Sequence, residues 1–308
     1  MELALMIEGQ DGLNWDRWKK LAQAAEDFGF VGLYRSDHYT NMEPPELDSL
    51  ELWVSLTWLA THTKRIEFGP LVSPFSFRHP SITARIAAAV DDLSGGRLQL
   101  GLGAGWQVRE HDMFGLDLLN VPGRMHRFNE GLEVVTQLMK SDKPVNFSGD
   151  FYRLKDAVML PHPLRPGGPP IVVGGNGAKR TLQLAAKYAD EWNGTSQTPA
   201  KFKERMPRLD EYLKAEGRKP SGLRRSAMLT TVFATDKKDL DHKLKAFDAT
   251  FDELRSHGAL VGEANQIIEQ LGQLEEVGCQ RVMMQWFDQD DIDGLEAMSK
   301  SVLAQVHK

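Results

Sequence analysis

Short apolar runs that suit β-strands alternate along the chain with longer segments that have helical spacing. Leu3–Ile7 is the first such run, and the segment capped by Asn14 places Trp18 and Leu21 on one helical face. The other predicted strands are Val31–Tyr34, Arg65–Gly69, Leu98–Leu102, Ile171–Val173, Asp190–Asn193, Met228–Ala234 and Gln280–Trp286. The other predicted helices are Ser49–His62, a segment starting near Pro80, Gly123–Met139, Lys179–Tyr188, Pro199–Glu216, Leu240–Leu254, Ala264–Val277 and a last helix that ends the chain.

This alternation gives about eight strand–helix pairs, which predicts a parallel sheet with right-handed crossovers. Eight pairs in 308 residues favour an α/β fold of the (β/α)8 TIM-barrel type. An open, doubly wound sheet is the alternative. We expect one domain over residues 1–308, with residues 143–169 inserted after the fourth helix as a hairpin and loop on the barrel rim. In either fold the ligand site lies at the C-terminal ends of the strands.

One predicted strand has glycines at several positions, most of them at its C-terminal end. Leu98, Leu100 and Leu102 alternate as a strand requires, whereas Gly101, Gly103 and Gly105 fall between or beyond them. Glycines at such positions let another strand or a ligand approach the backbone closely. The pattern therefore indicates either a crowded barrel interior or a ligand site.

Polar, aromatic and glycine residues follow several of the other strands. The candidates at these strand ends are Asp37 and His38, Pro70 and Leu71, Ala104, Gly105 and Trp106, Gly174 to Ala178, and Gln285 and Trp286. The pKa of a histidine suits acid–base work, although a loop histidine often only binds neighbouring backbone. Because parallel strands end on one face, we expect these groups to converge there.

Gly174, Gly175, Asn176, Gly177 and Ala178 lie between a predicted strand and a predicted helix. Free backbone N–H groups and the helix dipole make such a turn a good cradle for a phosphate group, and a plain tight turn is the alternative. The segment is neither a dinucleotide fingerprint nor a P-loop.

Composition and charge argue against several classes of partner. The formal net charge of −6, with no basic block, argues against nucleic acid. The single cysteine, Cys279, excludes an internal disulfide, and no spacing of His and acidic residues predicts a metal site. No apolar run approaches the roughly 20 residues that span a bilayer, and the chain opens on a strand without a cationic leader. We expect a cytoplasmic protein without a membrane partner.

Taken together, these blocks resemble the luciferase-like flavin-dependent oxidoreductases, a barrel family. The resemblance covers nearly the whole chain. It is carried by Ser36-Asp37-His38, Phe77-Arg78-His79-Pro80, Leu93 to Arg97, Gly101 to Trp106, Glu110, Pro170 to Gly175 and Ala189 to Asn193. The style of these blocks is similar to the branch of the family that uses the deazaflavin coenzyme F420. FMN is the alternative cofactor.

The resemblance implies a role for each matching position. Asp37 and His38 would line the cofactor ring, with His38 near the hydride-transfer carbon. Ala104 and Gly105 would pass beside the ring, and Gly174 to Ala178 would hold the phosphate. The family's non-proline cis peptide would fall at Pro70–Leu71, behind the ring.

One departure limits the substrate. Sugar-phosphate dehydrogenases of this branch carry an acidic proton donor where Trp106 stands here. A tryptophan at that place suggests a flatter, more apolar substrate pocket, with Trp286 as a second candidate wall.

Three functions are compatible with the sequence. The first is a coenzyme F420-dependent oxidoreductase that transfers a hydride to or from a small organic substrate, with His38 as the catalytic proton donor. The second is an FMN-dependent monooxygenase supplied with reduced flavin by a separate reductase. The third is a non-catalytic flavin-binding protein. Deazaflavin lacks the N5 atom needed for oxygen activation, so the cofactor decides the reaction. The resemblance also implies a homodimer.

Overall fold

The computed structural model describes residues 1–306, and its strands follow one another around a parallel barrel. The strands are β1 (Glu2–Ile7), β2 (Gly32–Arg35), β3 (Glu67–Pro70), β4 (Ser73–Pro74), β5 (Leu100–Gly103), β6 (Val145–Ser148), β7 (Arg153–Ala157), β8 (Ile171–Gly174), β9 (Glu191–Thr195), β10 (Arg224–Phe233), β11 (Leu260–Gly262) and β12 (Arg281–Gln285).

The hydrogen-bonded order is β3-β2-β1-β12-β10-β9-β8-β5-β4. Since β3 and β4 are consecutive pieces of one barrel strand, these nine strands occupy eight positions and the sheet returns to its start. A bridge between Phe68 and Leu98 joins the first piece to the segment before β5. The predicted α/β barrel is confirmed, and the open sheet is not what forms.

Helices cover the outside of the barrel. They are α1 (Trp15–Asp27), α2 (Leu52–His62), α3 (Pro80–Ser94), α4 (Val108–Phe114), α5 (Val121–Lys140), α6 (Arg180–Tyr188), α7 (Pro199–Ala215), α8 (Lys237–Ala246), α9 (Phe251–Ser256), α10 (Ala264–Glu276), α11 (Ile292–Met298) and α12 (Ala304–Val306). Short segments of other helical type occupy Pro220–Gly222 and Ser299–Leu303. Within residues 1–306, none of the helices combines the length and apolarity that crossing a membrane requires.

Alternation along the strands separates two apolar layers. On β1, Leu3, Leu5 and Ile7 belong to the large cluster under the helices, whereas Ala4 and Met6 belong to a small cluster inside the barrel. The small cluster is completed by Tyr34, Leu71, Val172 and Met283. Successive residues of one strand therefore serve opposite faces, and this period of two decides which side chains reach the site.

The insertion contains the predicted hairpin, formed by β6 and β7. Two other segments differ from the prediction. The predicted helix Leu240–Leu254 is two helices, since Asp248 has a positive φ and Thr250 starts α9 with a capping box. The short strand β11 was missed because its three residues are too few for a periodic pattern; it pairs with β10 outside the barrel path.

The sequence left two interpretations of the β5 glycines open, a crowded barrel interior and a ligand site. A Cβ at Gly101 would lie 2.0 Å from the carbonyl oxygen of Pro70, so glycine there permits close strand packing. A Cβ at Gly103 would lie 2.5 Å from Val72, yet Gly103 also borders a cavity at the end of the barrel. The strand is crowded in its middle and open at its end.

Candidate active site

The C-terminal ends of the barrel strands surround a cavity of about 1080 Å³. Pockets for drug-sized ligands measure about 300–1,000 Å³, so this cavity has room for a large ligand. Its walls come from the ends of β1, β2, β4, β5, β8, β9, β10 and β12, together with the start of α5. The cavity therefore lies at the strand ends, where the sequence predicts a ligand site.

Some of the predicted site residues border this cavity and others do not. His38, Leu71, Ala104, Gly105, Trp106, Gly174, Gly175, Gly177 and Gln285 line it. Asp37, Pro70, Asn176, Ala178 and Trp286 are absent from its walls. That a residue borders the cavity is a geometric observation. The binding roles of the residues that line the cavity stay predictions.

The period of two in a strand explains two of the exclusions. Ser36 and His38 continue the inward series of β2, which leaves Asp37 facing the other way. Likewise Phe287 continues the inward series of β12, whereas Trp286 packs with the helices in the outer core. Asp37 and Trp286 were therefore wrongly placed at the cavity.

Asp37 has a structural position instead. Its buried carboxylate accepts a hydrogen bond from Ser73 Oγ at 2.7 Å and forms an ion pair with Arg78. Arg78 also reaches Glu51. These contacts tie the end of β2 to β4 and to the entry of α3, which fixes the loop that carries His38.

Pro70, Asn176 and Ala178 also lie outside the walls. Pro70 presents its carbonyl to β5, as described above. Asn176 Oδ1 accepts the backbone N–H of Thr195 at 3.0 Å, and its Nδ2 donates to the carbonyl of Thr195 at 2.8 Å. Asn176 thus shapes the glycine turn, while Ala178 is exposed on its outer side.

The non-proline cis peptide lies between Leu71 and Val72, one residue later than expected, so the prediction of Pro70–Leu71 was wrong. Leu71 and Val72 both border the cavity. Val72 packs into the space that side chains at Gly103 and Gly174 would fill. The sequence analysis missed Val72 because the partner of those glycines becomes visible only across the barrel.

His38 is held by Glu110. Its Nδ1 lies 2.8 Å from Glu110 Oε1, and Glu110 Oε2 accepts the backbone N–H of Tyr39 at 2.9 Å. Glu110 is 1% exposed, so its carboxylate is the buried anchor of this loop. With Nδ1 engaged, Nε2 is the ring nitrogen left without a hydrogen bond to residues 1–306, and His38 lines the cavity.

Opposing effects act on the pKa of His38. Burial lowers it, but the hydrogen bond and the charge of Glu110, with the charges of Glu8 and Asp37, outweigh burial. The net result is a raised pKa, which extends the protonated form to higher pH. A histidine with one nitrogen fixed and the other facing a cavity suits the transfer of a proton.

Trp106 stands next to His38. The two rings meet edge to face with centroids 5.6 Å apart, and 53% of the tryptophan is exposed. Trp106 is therefore an accessible apolar wall of the cavity, where the sequence placed it.

The glycine turn after β8 has the features expected of an anion cradle. The first turn of α6 has no side-chain cap, so the backbone N–H groups of Arg180 and Thr181 stay available. Lys179, Arg180 and Thr181 border the cavity there. Gly175 has a φ of +128°, which favours glycine, and a Cβ at Gly177 would lie 2.5 Å from Thr181 Oγ1. The turn fits a phosphate group.

Sequence reasoning missed the residues at the end of β1. Glu8, Gln10 and Asp11 line the cavity, as does Met228 on β10. The rule that ligand sites follow strand ends, applied to β1 as it was to β2, would have found the first three.

A group of three potential metal ligands lies elsewhere. Ligand atoms of His126, Glu130 and Asp150 come within 4.8 Å of one another. Glu130, however, already accepts backbone N–H groups of Asp150 and Phe151 at 2.8 and 2.9 Å. These contacts anchor the inserted hairpin to α5.

An eight-position parallel barrel has, at its C-terminal face, a mostly apolar cavity with a few charged groups and an uncapped helix start. These features define a TIM-barrel protein with a candidate ligand site at that face. The comparison with protein families is specific within this class. Residues 4–258 match the model of the luciferase-like monooxygenases, and the chain belongs to that family.

The names of individual relatives describe different reactions. The chain is 31% identical over 228 residues to F420-dependent hydroxymycolic acid dehydrogenase of Mycobacterium tuberculosis, covering 72% of this chain and 60% of that protein. It is 31% identical over 181 residues to 4-hydroxyprotoasukamycin monooxygenase of Streptomyces nodosus subsp. asukaensis, covering 58% and 47%. The matched region thus spans about three fifths or less of the length of these curated relatives.

Among solved structures, an F420-dependent secondary alcohol dehydrogenase in complex with an F420-acetone adduct superposes with a TM-score of 0.86. The alignment covers 98% of both chains at 20% identity. At this identity the likeness establishes the shared fold.

Proposed function

We propose that this protein is a coenzyme F420-dependent oxidoreductase that transfers a hydride between the deazaflavin and a small organic substrate. The observation that carries the proposal is the composition of one cavity, which holds the His38–Glu110 pair and an uncapped helix start flanked by Lys179 and Arg180. Similarity to an F420-dependent dehydrogenase supports the choice of cofactor.

Different residues of the cavity have different proposed roles. Gly174, Gly175 and Gly177, with the start of α6, would hold the cofactor phosphate. Leu71, Ala104 and Gly105 would lie against the ring. Coenzyme F420, when bound, supplies or accepts the hydride. Glu110 holds Nδ1 of His38, and His38 Nε2 gives or takes the substrate proton that accompanies the hydride.

The test of the cofactor is a titration of the apo-protein with coenzyme F420 and, separately, with FMN, followed by cofactor fluorescence. Saturable binding of coenzyme F420 at micromolar concentration is the expected result. Binding of FMN alone would replace this proposal with the FMN-dependent monooxygenase. Similarity to 4-hydroxyprotoasukamycin monooxygenase supports the monooxygenase reaction as the second candidate.

The test of the mechanism is His38→Ala. General acid–base catalysis contributes about 10²–10⁴-fold, so turnover falls by about that factor. Cofactor affinity changes little because the anion cradle is unaltered. His242→Ala, an exposed histidine on α8, is the matched control and retains turnover. Unchanged turnover in His38→Ala would remove His38 from the mechanism. The cytoplasmic compartment, the homodimer and any separate reductase remain predictions.

A further inference from the structure

The charged residues that line the cavity are separated by sign. Its carboxylates Glu8 and Asp11 follow β1, whereas its cations Lys179 and Arg180 follow β8. The remaining lining carboxylate, Glu110 of α4, is paired with His38. In the ring of eight strand positions, β1 and β8 are four positions apart and therefore face each other across the barrel. The third lining cation, Arg124, belongs to the start of α5.

The start of α5 lies on the basic side as well. Arg180 Nη1 donates to the carbonyl of Pro122, two residues before Arg124, at 3.5 Å. All the lysine and arginine side chains that line the cavity in residues 1–306 are thus grouped near the β8–α6 turn. The region next to β1 and β2 has carboxylates, His38 and apolar side chains.

The two carboxylates of β1 differ in their bonding. Glu8 is satisfied by the side-chain amides of Gln10 and Gln285, which donate to its two oxygens. The carboxylate of Asp11 has no hydrogen bond with any group in residues 1–306, although it is half-buried. Burial and the charge of Glu8 raise the pKa of Asp11, and the charge of His38 lowers it. Asp11 is therefore an electrostatic neighbour of His38 with free acceptor capacity.

Large apolar side chains are accessible in the same region. Trp106 contacts the His38 ring, Met42 follows β2, and Phe287 follows β12; 53%, 60% and 39% of these residues are exposed. An aromatic face attracts cations through its quadrupole, and a nearby carboxylate adds to that attraction. The same pair repels a carboxylate or phosphate on a ligand.

We propose that the substrate region bounded by Asp11, Met42, Trp106 and Phe287 takes apolar substrates that are neutral or cationic, and that Asp11 is the residue that rejects anionic ones. This inference rests on the proposed function, because it assigns the basic side of the cavity to the cofactor. A substrate with a phosphate or carboxylate beside the reacting carbon would meet Asp11 and Glu8 and no lysine or arginine.

The test uses three probes of similar shape: benzylammonium, benzyl alcohol and benzoate. Their dissociation constants are measured by calorimetry on the cofactor-loaded protein and on its Asp11→Asn variant. We expect the first two to bind, and benzoate to bind at least about tenfold more weakly, since like charges across a binding site reduce affinity. Asp11→Asn reduces this ratio by about tenfold. Asp142→Asn, an exposed aspartate in the turn before β6, leaves it unchanged.

Three results would overturn the proposal: benzoate binding as tightly as benzylammonium, an unchanged ratio in Asp11→Asn, or no binding of the neutral and cationic probes. If neither cofactor binds, the proposed function fails by itself. The probe ratio is then measured in an Arg124→Ala/Lys179→Ala/Arg180→Ala triple variant, which removes the lysine and arginine side chains that line the basic side. The two failures are therefore distinguishable.

Discussion

The two ends of the barrel both contain buried charges, but they are completed in different ways. At the N-terminal end, Arg281 is 1% exposed and its guanidinium meets Glu67 at 2.6 Å, Glu2 at 2.7 Å and the Tyr34 hydroxyl at 2.9 Å. Glu191, also buried, lies 3.4 Å from the same guanidinium. These side chains fill the barrel, so this end is closed.

At the C-terminal end, Glu110 is as deeply buried as Arg281, yet it has a single ionisable hydrogen-bond partner, His38. The other nitrogen of His38 and the carboxylate of Asp11 are left without partners in residues 1–306, at the edge of the cavity. A buried network in which each charge faces an opposite charge of the protein has a structural role. One that ends at a cavity leaves polar atoms for a ligand.

The largest expected effect is a loss of stability caused by a substitution at the closed end of the barrel. Arg281→Met removes the buried cation shared by Glu2, Glu67 and Glu191. Within residues 1–306 it leaves only the half-exposed Arg224, 3.5 Å from Glu191. Removing one partner of a buried ion pair costs about 3–5 kcal/mol. We expect the free energy of unfolding in urea to fall by about that amount. Lys300→Ala, which removes an exposed pair with Glu296, costs less than about 1 kcal/mol. A loss in Arg281→Met no larger than this control would show that the network does not hold the barrel end.

A second variant tests whether the buried carboxylate left by the first one causes the loss of stability. Replacing Glu191 by Leu in the Arg281→Met background also removes the buried carboxylate that lost its buried partner. Since buried ion pairs are often replaceable by apolar residues of similar volume, part of the lost stability is expected to return. A further loss of the same size would contradict the idea that the stranded charge causes the destabilisation.

The next effect concerns the open end. Glu110→Gln keeps the size of the side chain but removes its charge, so the pKa of His38 falls and the ring loses its ionic partner. We expect turnover to fall by about 10–100-fold, less than on removal of the histidine. The limb of the pH–rate profile that belongs to His38 moves to lower pH. Glu296→Gln is the exposed control. A fall in turnover without movement of that limb would mean that Glu110 only supports the loop.

The smallest effect is the pH dependence of stability. The folded pKa of His38 is raised above that of the unfolded chain, so the folded state binds a proton more tightly. Its stabilising contribution is complete below the unfolded pKa of about 6.5 and disappears as pH rises through the folded pKa. The difference in unfolding free energy between the natural protein and His38→Gln should therefore shrink from pH 5.5 to pH 9. A difference that stays constant over this range would contradict the raised pKa.

The hydrophobic pattern was sufficient for the barrel, the inserted hairpin and the face that carries the site. It was also sufficient for His38 and Trp106, because both follow strands that the pattern marks clearly. Asp37 and Trp286 failed for a reason that the sequence itself contains. Counting by two from the inward residues of β2 and β12 places Ser36 and Phe287 at the cavity instead.

The family resemblance and the strand pattern were set by the chain alone, since apolar periodicity and local turn chemistry depend on neighbours in sequence. The tertiary structure decided what depends on contacts across the barrel. Examples are Val72 against two glycines, Glu110 bonded to His38, and Asp11 on the side of the cavity opposite the cations of the β8–α6 turn. Each involves residues that are far apart in the sequence, and the distance between them follows from how the barrel closes.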